Sequence, residues 1–211
     1  MISGLTEDAI IEHSGERIGE HTGRAGAHEE FLVRKAGMHD IGPILGLING
    51  YAAKGVMLPR TELEVSEDIR DFSVIVTAGR LMGCGALHFY TPSIGEIRSL
   101  AVAEDAKTLG IGRRLIEALV REASNYSLDA VFAFTYVAGF FGKMGFQEVE
   151  RGELPLKAWK DCVRCPKFQC CDEIAVMRFL RPENRRNLQQ YRPPEEFQLV
   201  QLPVLRQLDR R

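Results

Sequence analysis

The sequence lacks the features that mark membrane, exported and nucleic-acid-binding proteins. No apolar run approaches the roughly 20 residues of a transmembrane helix, and the start, Met1 to Asp8, has neither a basic region nor an apolar signal core. The 27 lysines and arginines nearly balance the 29 aspartates and glutamates, for a formal net charge of -2. The overall charge therefore points to neither nucleic acid nor a membrane as partner, and we expect a cytoplasmic protein.

Cysteine is also scarce, and its distribution argues against a disulfide framework. Cys84 stands alone, and the other four of the five cysteines lie between Cys162 and Cys171. Without an export signal, such clustering is typical of reduced thiols or of a metal site. Cys162, Cys165 and Cys171 include one pair at zinc-ligand spacing, but no second Cys-x-x-Cys pair follows. The sequence thus favours reduced thiols with no metal, and Cys84 is expected in the core.

What the chain does contain is enough apolar sequence for one sizeable core, with 211 residues of which 45% are hydrophobic. Residues 1–29 are polar and rich in Gly, His and Glu, which predicts a flexible leader. Residues 30–180 form the predicted domain, and residues 181–211 change to Arg, Gln and Pro. This tail is interpreted either as mobile or as docking its apolar end on its own protomer or on a partner, as in a homodimer.

The order of apolar patterns predicts an α/β fold with a mixed central sheet flanked by helices. Strands are predicted at 31–36, 71–77, 81–89, 97–102, 130–135, 147–149 and 173–179, and the second and third are predicted to form a hairpin around Ala78-Gly79-Arg80. The apolar positions Ile41, Ile44, Leu45 and Ile48 predict a first helix, and Thr61 with Glu64 fits a capping box that opens a second. Further helices are predicted from Arg113 onward, through Leu115 and Leu119, and over 140–145.

The segment 96–115 joins a predicted strand to a predicted helix through Gly110-Ile111-Gly112. The first N–H groups of a helix have no internal partners, and that end of its dipole is positive. Glycine lets the backbone approach a phosphate without an intervening Cβ. By itself the pattern leaves two interpretations open, a phosphate site and an ordinary strand-to-helix turn.

This turn resembles motif A of the GNAT N-acetyltransferases, whose acyl-CoA loop reads Gln/Arg-x-x-Gly-x-Gly/Ala. Lys107 stands where Arg or Gln is usual, which keeps the charge without the bidentate fork. Thr108 stands where many relatives have Gly, and 140–146 resembles the family's Phe-Tyr-x-x-x-Gly-Phe with Phe141 at the Tyr position. The resemblance covers about residues 31–180. It implies the mixed-sheet fold and acetyl-CoA as co-substrate.

The same resemblance implies which residues bind the acyl donor. The family splays two parallel strands apart, so backbone N–H groups would polarise the acyl carbonyl at Leu100, Ala101 and Val102. The pyrophosphate cradle would comprise Lys107, Thr108, Leu109, Gly110, Ile111, Gly112 and Arg113.

A second resemblance concerns the segment 154–173, which begins Leu154-Pro155 and contains Cys162 and Cys165. It is similar to the C-terminal signature of the short, stand-alone N-acetylglutamate synthase-like acetyltransferases, as are segments 58–61 and 96–100. The resemblance implies L-glutamate as acceptor, the first step of arginine biosynthesis. A dicarboxylate suits the cationic set Arg60, Arg98, Lys157, Lys160, Arg164 and Lys167, from which we predict that Arg60, Arg98 and Lys160 bind the acceptor.

Three residues are candidates for chemistry, each with an alternative. In relatives a Glu at the position of Glu96 deprotonates the amine; the alternative is a salt-bridged carboxylate at a strand edge. Arg98 interrupts an apolar strand and needs an anionic partner, either Glu96 on the same face or a substrate carboxylate. Phe141 has no hydroxyl, so the nearby Tyr136 would donate the proton to the leaving thiolate in its place. The alternative is that Tyr136 is a packed tyrosine at the end of a strand.

Three functions remain open at this point. The first is acetylation of glutamate, and the second keeps the fold but acetylates another amino acid, a polyamine or a protein amine. The third is an acyl-CoA-binding regulator without catalysis. Arg98 argues against a polyamine, whereas Thr108 and Phe141 favour the regulator.

Overall fold

The computed structural model describes residues 31–151, 154, 165, 167 and 170–184. Seven strands of this part form one sheet in the order β1-β2-β3-β4-β5-β7-β6, with four α-helices around it. The strands are β1 (Val33–Lys35), β2 (Phe72–Thr77), β3 (Arg80–Phe89), β4 (Ile94–Val102), β5 (Ala130–Thr135), β6 (Gln147–Glu148) and β7 (Ile174–Phe179). The helices are α1 (Ile41–Ala52), α2 (Glu62–Glu67), α3 (Ile111–Asn125) and α4 (Ala138–Gly142). The predicted leader, residues 185–211 of the predicted tail, Lys160 and Cys162 lie outside the described residues.

The predicted mixed sheet is confirmed, since every neighbouring pair is antiparallel except β4 and β5. The predicted hairpin joins β2 to β3 through Ala78 and Gly79, whose φ angles of 49° and 74° suit a two-residue turn. The predicted capping box is present as well. The Thr61 N–H donates to Glu64 Oε2 at 2.8 Å, and the Glu64 N–H donates to Thr61 Oγ1 at 3.2 Å.

A hydrophobic core lies on each face of the sheet. On one face, α3 packs Ile116 and Leu119 against strand residues such as Leu87. On the other face, α1 packs Ile44 and Ile48 against residues such as Ala86. Alternation along β3 assigns Ala86 and Leu87 to opposite faces. None of the helices in this part of the chain is both long and apolar enough to cross a membrane.

Cys84 lies on the α1 face and is fully buried, as predicted. Burial raises the pKa of this thiol to about 12, since a thiolate is costly in an apolar surrounding. Cys84 is therefore a packing residue with no reactive thiolate.

The ends of β4, α3 and α4 differ from the predicted ones, and a glycine lies at or near each of them. β4 begins at Ile94, so Gly95 does not interrupt it. The polar connection before α3 is a 3-10 helix (Glu104–Leu109), and α3 starts at Ile111 because Gly110 adopts a left-handed φ of 74°. α4 ends at Gly142, before the predicted Gly145.

The sheet divides between β4 and β5, and we call this division the fork. Parallel pairing joins Ile94–Glu96 only to Ala130–Phe132, although β4 continues to Val102 and β5 to Thr135. Within β4, Ser99 adopts a φ of 53° where the register with β3 shifts. This bulge adds one residue to the strand, so that Arg98 and Ala101 face the same side of the sheet.

Candidate active site

A cavity of about 540 Å³ lies at the fork, between the diverging ends of β4 and β5. Its walls contain most of the residues predicted for the site: Arg60, Glu96, Arg98, Leu100, Ala101, Val102, Lys107, Gly110, Gly112, Arg113 and Tyr136. The walls described do not include Thr108, Leu109 or Ile111. Ile111 is fully buried in the core beside α3, so its side chain does not reach a ligand there.

The N-terminal end of α3 forms one end of this cavity. Gly110 turns the chain into the helix, and the first intrahelical hydrogen bond runs from the Arg114 N–H to the Gly110 carbonyl at 3.1 Å. The N–H groups between them precede that bond, and the cavity is lined by Gly110, Gly112 and Arg113. A positive helix end with two residues lacking Cβ fits a diphosphate.

The cations beside this helix end are already in ion pairs. Lys107 Nζ lies 2.8 Å from Glu104 Oε2, and Lys54 Nζ lies 2.9 Å from Glu104 Oε1. These two ammonium groups lower the pKa of Glu104 to about 2. Arg113 Nε lies 2.7 Å from Glu117 Oε1. All of these pairs are solvent-exposed, so a phosphate would exchange for a carboxylate at small cost.

Tyr51 was not singled out in the sequence, yet it connects α1 to the end of β4. Its hydroxyl donates to the Val102 carbonyl at 2.6 Å, and Lys107 Nζ lies 5.3 Å from its ring centre. The first of these contacts fixes the end of β4 at the mouth of the cavity. In the sequence Tyr51 has only the helical spacing of a core residue, so local pattern gave no signal for this role.

Glu96 lies where the fork begins, because its partner Phe132 is the last residue of β5 that pairs with β4. It is 8% exposed, and its Oε2 accepts a hydrogen bond from the Tyr90 hydroxyl at 3.0 Å. Its cross-strand neighbour is His88, whose Nδ1 lies 2.7 Å from Asp71 Oδ2. A buried carboxylate at the closed end of a cavity is well placed to act as a general base.

Arg98 has an internal partner that the sequence did not suggest. Its Nη2 donates to Asp68 Oδ2 at 2.7 Å, and its side chain is 11% exposed. Asp68 directly follows α2, so the ion pair attaches that helix to the central strand. Arg60 lies on the same wall, where the Asn49 side chain hydrogen-bonds both its N–H and its carbonyl at 2.9 Å.

The opposite wall contains Tyr136, Arg151, Cys171 and Glu173. Tyr136 is 38% exposed, and its Oη accepts a hydrogen bond from Lys167 Nζ at 3.3 Å. Partial burial raises the pKa of the Tyr136 phenol, so it keeps its proton. Burial also raises the pKa of Glu173. Arg151 belongs to no motif, and Glu173, the last residue of the 154–173 segment, was not predicted to line the site.

Two groups of possible metal ligands are present. Of the predicted zinc alternative, Cys165 and Cys171 line the cavity, while Cys162 falls outside the described residues. Asp68, Asp71 and His88 offer ligand atoms within 4.8 Å of one another. Arg98 already pairs with Asp68, and His88 with Asp71, so each of the three has a partner without an ion.

Comparison with known proteins places this architecture in one class. The acetyltransferase (GNAT) family matches residues 52–146. An uncharacterised N-acetyltransferase of Chlorobaculum tepidum is 43% identical over 148 residues, which are 70% of this chain and 96% of that protein. An amino-acid acetyltransferase of Mycobacterium tuberculosis is 34% identical over 122 residues, 56% of this chain and 70% of that protein. The chain belongs to the acetyltransferase (GNAT) family, and its co-substrate is acetyl-CoA.

Solved structures agree with this assignment and confirm the predicted fold. The N-acetylglutamate synthase of Neisseria gonorrhoeae, complexed with coenzyme A and N-acetyl-glutamate, superposes with a TM-score of 0.66 at 29% identity. The match covers 72% of this chain but only 35% of that longer protein. A Mycobacterium tuberculosis protein in complex with CoA has a TM-score of 0.62 at 27% identity, covering 71% of this chain and 99% of that one.

Proposed function

We propose that this protein transfers the acetyl group of acetyl-CoA to the α-amine of L-glutamate, giving N-acetyl-L-glutamate and CoA. The observation that supports this most is the composition of the cavity. A buried carboxylate, Glu96, lies between two arginines on one side and the open N-terminal end of α3 on the other. The amine, the carboxylates and the diphosphate of the two substrates each have a chemically matched group.

Glu96 is the proposed base. Its carboxylate accepts a proton from the ammonium form of the acceptor, and the neutral amine that results is the nucleophile. The Tyr90 hydroxyl holds Oε2 at 3.0 Å and so limits the orientations of the carboxylate. Because Glu96 lies at the closed end of the fork, the acceptor amine is brought beside the diverging strand where the acyl group would bind.

Acetyl-CoA supplies the acetyl group as a thioester. Beyond Phe132 the edge of β4 no longer faces a ladder partner on β5, so N–H groups of Leu100 to Val102 can be directed at a carbonyl oxygen. Lys107, Arg113 and the glycine turn would hold the diphosphate. Tyr136, whose phenol is protonated at neutral pH, would give its proton to the leaving sulfur.

Arg60 and Arg98 would bind the acceptor carboxylates, together with Lys160. Asp68 fixes the guanidinium of Arg98 at 2.7 Å, which orients it before the acceptor arrives. An arginine-lined wall would repel a polyamine, so the charge of this wall favours an anionic amino acid.

One observation supports a second candidate, an acyl-CoA-binding regulator that does not catalyse transfer. Phe141, at the position of the family's usual tyrosine, is buried and packs edge-on against Phe146 at 5.2 Å. It offers no hydroxyl to the leaving group. Tyr136 at the cavity wall replaces that hydroxyl in the first proposal.

A thiol-release assay with acetyl-CoA and a panel of amino acids and amines separates these functions. We expect CoA release with L-glutamate and detection of N-acetyl-L-glutamate by mass spectrometry. Release with a different amine, and none with glutamate, would change the acceptor while keeping the enzyme. Saturable acetyl-CoA binding without release on any amine would establish the regulator instead.

A further inference from the structure

Arg151 is an arginine of the cavity wall that no motif identifies. It follows β6, and its side chain lies against the end of β5 and the start of β7. Nη2 donates to the Cys171 carbonyl at 3.4 Å and to the Glu173 carbonyl, and it lies 3.1 Å from Cys171 Sγ. The guanidinium carbon is 6.0 Å from the centre of the Phe134 ring. These contacts fix the guanidinium in one place.

Arg151 differs from other cavity cations in what it is paired with. Arg98 has Asp68 and Arg113 has Glu117, both at 2.7 Å. Within the described part of the chain, no carboxylate oxygen lies within 4.0 Å of Arg151, although its charge is felt by the Glu173 carboxylate on the same wall. Among these residues, Nη2 is the nitrogen of Arg151 that forms hydrogen bonds. A guanidinium carries five N–H donors. Nε and Nη1 therefore have no partner among the residues that the structure describes and can donate to a ligand in the cavity.

The register of the fork gives Arg151 a defined position relative to Glu96. Glu96 pairs with Phe132, and two residues further along each strand are Arg98 on β4 and Phe134 on β5. A step of two residues keeps the same face. Glu96 thus lies where the strands separate, with Arg98 on one diverging strand and Arg151 against Phe134 on the other.

We propose that Arg151 binds one carboxylate of the acceptor and so selects a dicarboxylic amino acid over its amide. This proposal rests on the proposed function. An α-amino dicarboxylate has one ammonium group and two carboxylates. The ammonium matches the carboxylate of Glu96, and the two carboxylates match the guanidinium groups of Arg98 and Arg151. Guanidinium and carboxylate meet through two parallel hydrogen bonds. An amide in the same place offers one acceptor oxygen and turns its NH2 group toward the second N–H of Arg151, which disfavours it.

The test is the ratio of kcat/KM for L-glutamate to that for L-glutamine in the full chain, with acetyl-CoA saturating. In Arg151→Gln we expect the glutamate KM to rise about tenfold or more, the loss of a charge-assisted hydrogen-bonded pair. The glutamine KM should change by less than about threefold, since no ion pair to it is lost. The KM for acetyl-CoA should not change, because the contacts of Arg151 are with Phe134, Cys171 and Glu173 and not with the turn before α3.

Arg178→Gln is the matched control. Arg178 belongs to β7 and donates to the Met144 carbonyl at 2.8 Å, outside the cavity, so its variant should keep the parent ratio. If Arg151→Gln does not fold by circular dichroism, Arg151→Lys replaces it. Lysine keeps the charge but not the paired hydrogen bonds, and the glutamate KM should rise about threefold to tenfold.

Two results would overturn the proposal, and they differ in what else they overturn. In the first, the parent enzyme acetylates glutamate and a folded Arg151 variant keeps the same glutamate KM. This result would exclude Arg151 as a ligand and leave the proposed function intact. A parent enzyme that acetylates glutamine or another uncharged amino acid but no dicarboxylate removes both.

Discussion

At the scale of single residues, the proposed base Glu96 is held by a neighbouring hydroxyl. The carboxylate is almost fully buried, and Tyr90 donates to it from the end of β3. The Tyr90 ring in turn packs on Phe132, with centroids 5.6 Å apart, and edge-on against His88 at 5.2 Å. The hydroxyl that contacts Glu96 is therefore positioned by packing on β3 and β5.

Tyr90→Phe should lower kcat by about tenfold while leaving the acetyl-CoA KM unchanged, since one hydrogen bond to a charged group is lost. Because donation to a carboxylate favours its ionised form, the acidic limb of the kcat profile should move to higher pH. The variant keeps the other charged and titratable groups of the cavity, so a shift of the profile reports on Glu96. These groups are Arg60, Arg98, Tyr136, Arg151 and Glu173. The measurement is kcat against pH.

Two further variants define the limits of this experiment. Glu96→Gln should remove the acidic limb altogether and give the lowest kcat. Tyr126→Phe makes the same chemical change at an exposed site beside Phe89, and should reproduce the parent profile. A Tyr90→Phe profile identical to that of Tyr126→Phe would exclude Tyr90 as a positioning residue.

At the scale of an element, α3 begins at the glycine turn that we propose binds the acyl donor. Its buried face, including Leu115, Ile116 and Leu119, fixes it on β3 and β4. Its first turn consequently has a fixed position relative to the fork. Gly110 determines where that turn begins, because its φ of 74° is left-handed. A Cβ at this position would meet no atom within 4 Å, so a substitution would change the backbone preference without a steric clash.

Gly110→Ala should lower the free energy of unfolding by about 1 to 2 kcal/mol, the cost of a left-handed conformation for an L-residue. It should also raise the acetyl-CoA KM severalfold, because a methyl group would stand where a phosphate approaches. Gly79→Ala is the matched control, since Gly79 has the same φ of 74° and the same open surroundings in the β2–β3 turn. Urea unfolding and initial rates measure both effects.

The two glycine variants should therefore lose similar stability and differ in the acetyl-CoA KM. If both keep the parent KM, the turn before α3 does not bind the acyl donor. That result would remove the cradle from the proposed site.

At the scale of the whole molecule, β1 and α1 are joined by an ion pair that responds to pH. Arg34 donates to both oxygens of Asp40, at 2.7 and 2.9 Å, and the Gly37 N–H donates to Asp40 Oδ2 at 2.8 Å. The hydrogen bond from Arg34, more than any other contact, lowers the pKa of Asp40 below its usual range. The carboxylate form is thus more stable in the folded chain than in the unfolded one.

A group with a lowered native pKa stabilises the fold above its unfolded pKa, about 3.9 for Asp, and this contribution is lost as pH falls further. Asp40→Asn should therefore cost about 1 to 2 kcal/mol at pH 7 and progressively less below about pH 4. Urea midpoints at several pH values measure this. Asp105→Asn breaks the Arg80 pair, whose side chains are 58% exposed, and should cost less at every pH. Equal losses in the two variants would contradict the assignment.

The sequence predicted those features that depend on local pattern. The Ala78-Gly79 turn, the Thr61–Glu64 capping box and strand β5 (Ala130–Thr135) each follow from neighbouring residues, through turn chemistry or periodicity. The glycine turn before α3 was found in the same way. A motif within a few residues was enough in each of these cases.

The features that the sequence did not predict depend on contacts between distant segments. Arg98 and its partner Asp68 are 30 residues apart, and Arg151 and Glu173 reach the cavity only because β7 pairs with both β5 and β6. The bulge at Ser99 had no signal either, since a serine takes the left-handed conformation that glycine usually adopts. Three-dimensional pairing, not local propensity, decides these positions.

The fork has a consequence for cohesion. Because the strands of the fork separate after three paired residues, they lack interstrand hydrogen bonds worth about 1 kcal/mol each. The sheet halves β1–β4 and β5–β7 are held together by this short parallel ladder and by the core beside α3. An elongated ligand bound in the fork would contact both halves of the sheet and replace part of the missing strand pairing. We therefore expect acetyl-CoA to raise the stability of the folded protein, since a ligand that binds only the folded state stabilises it.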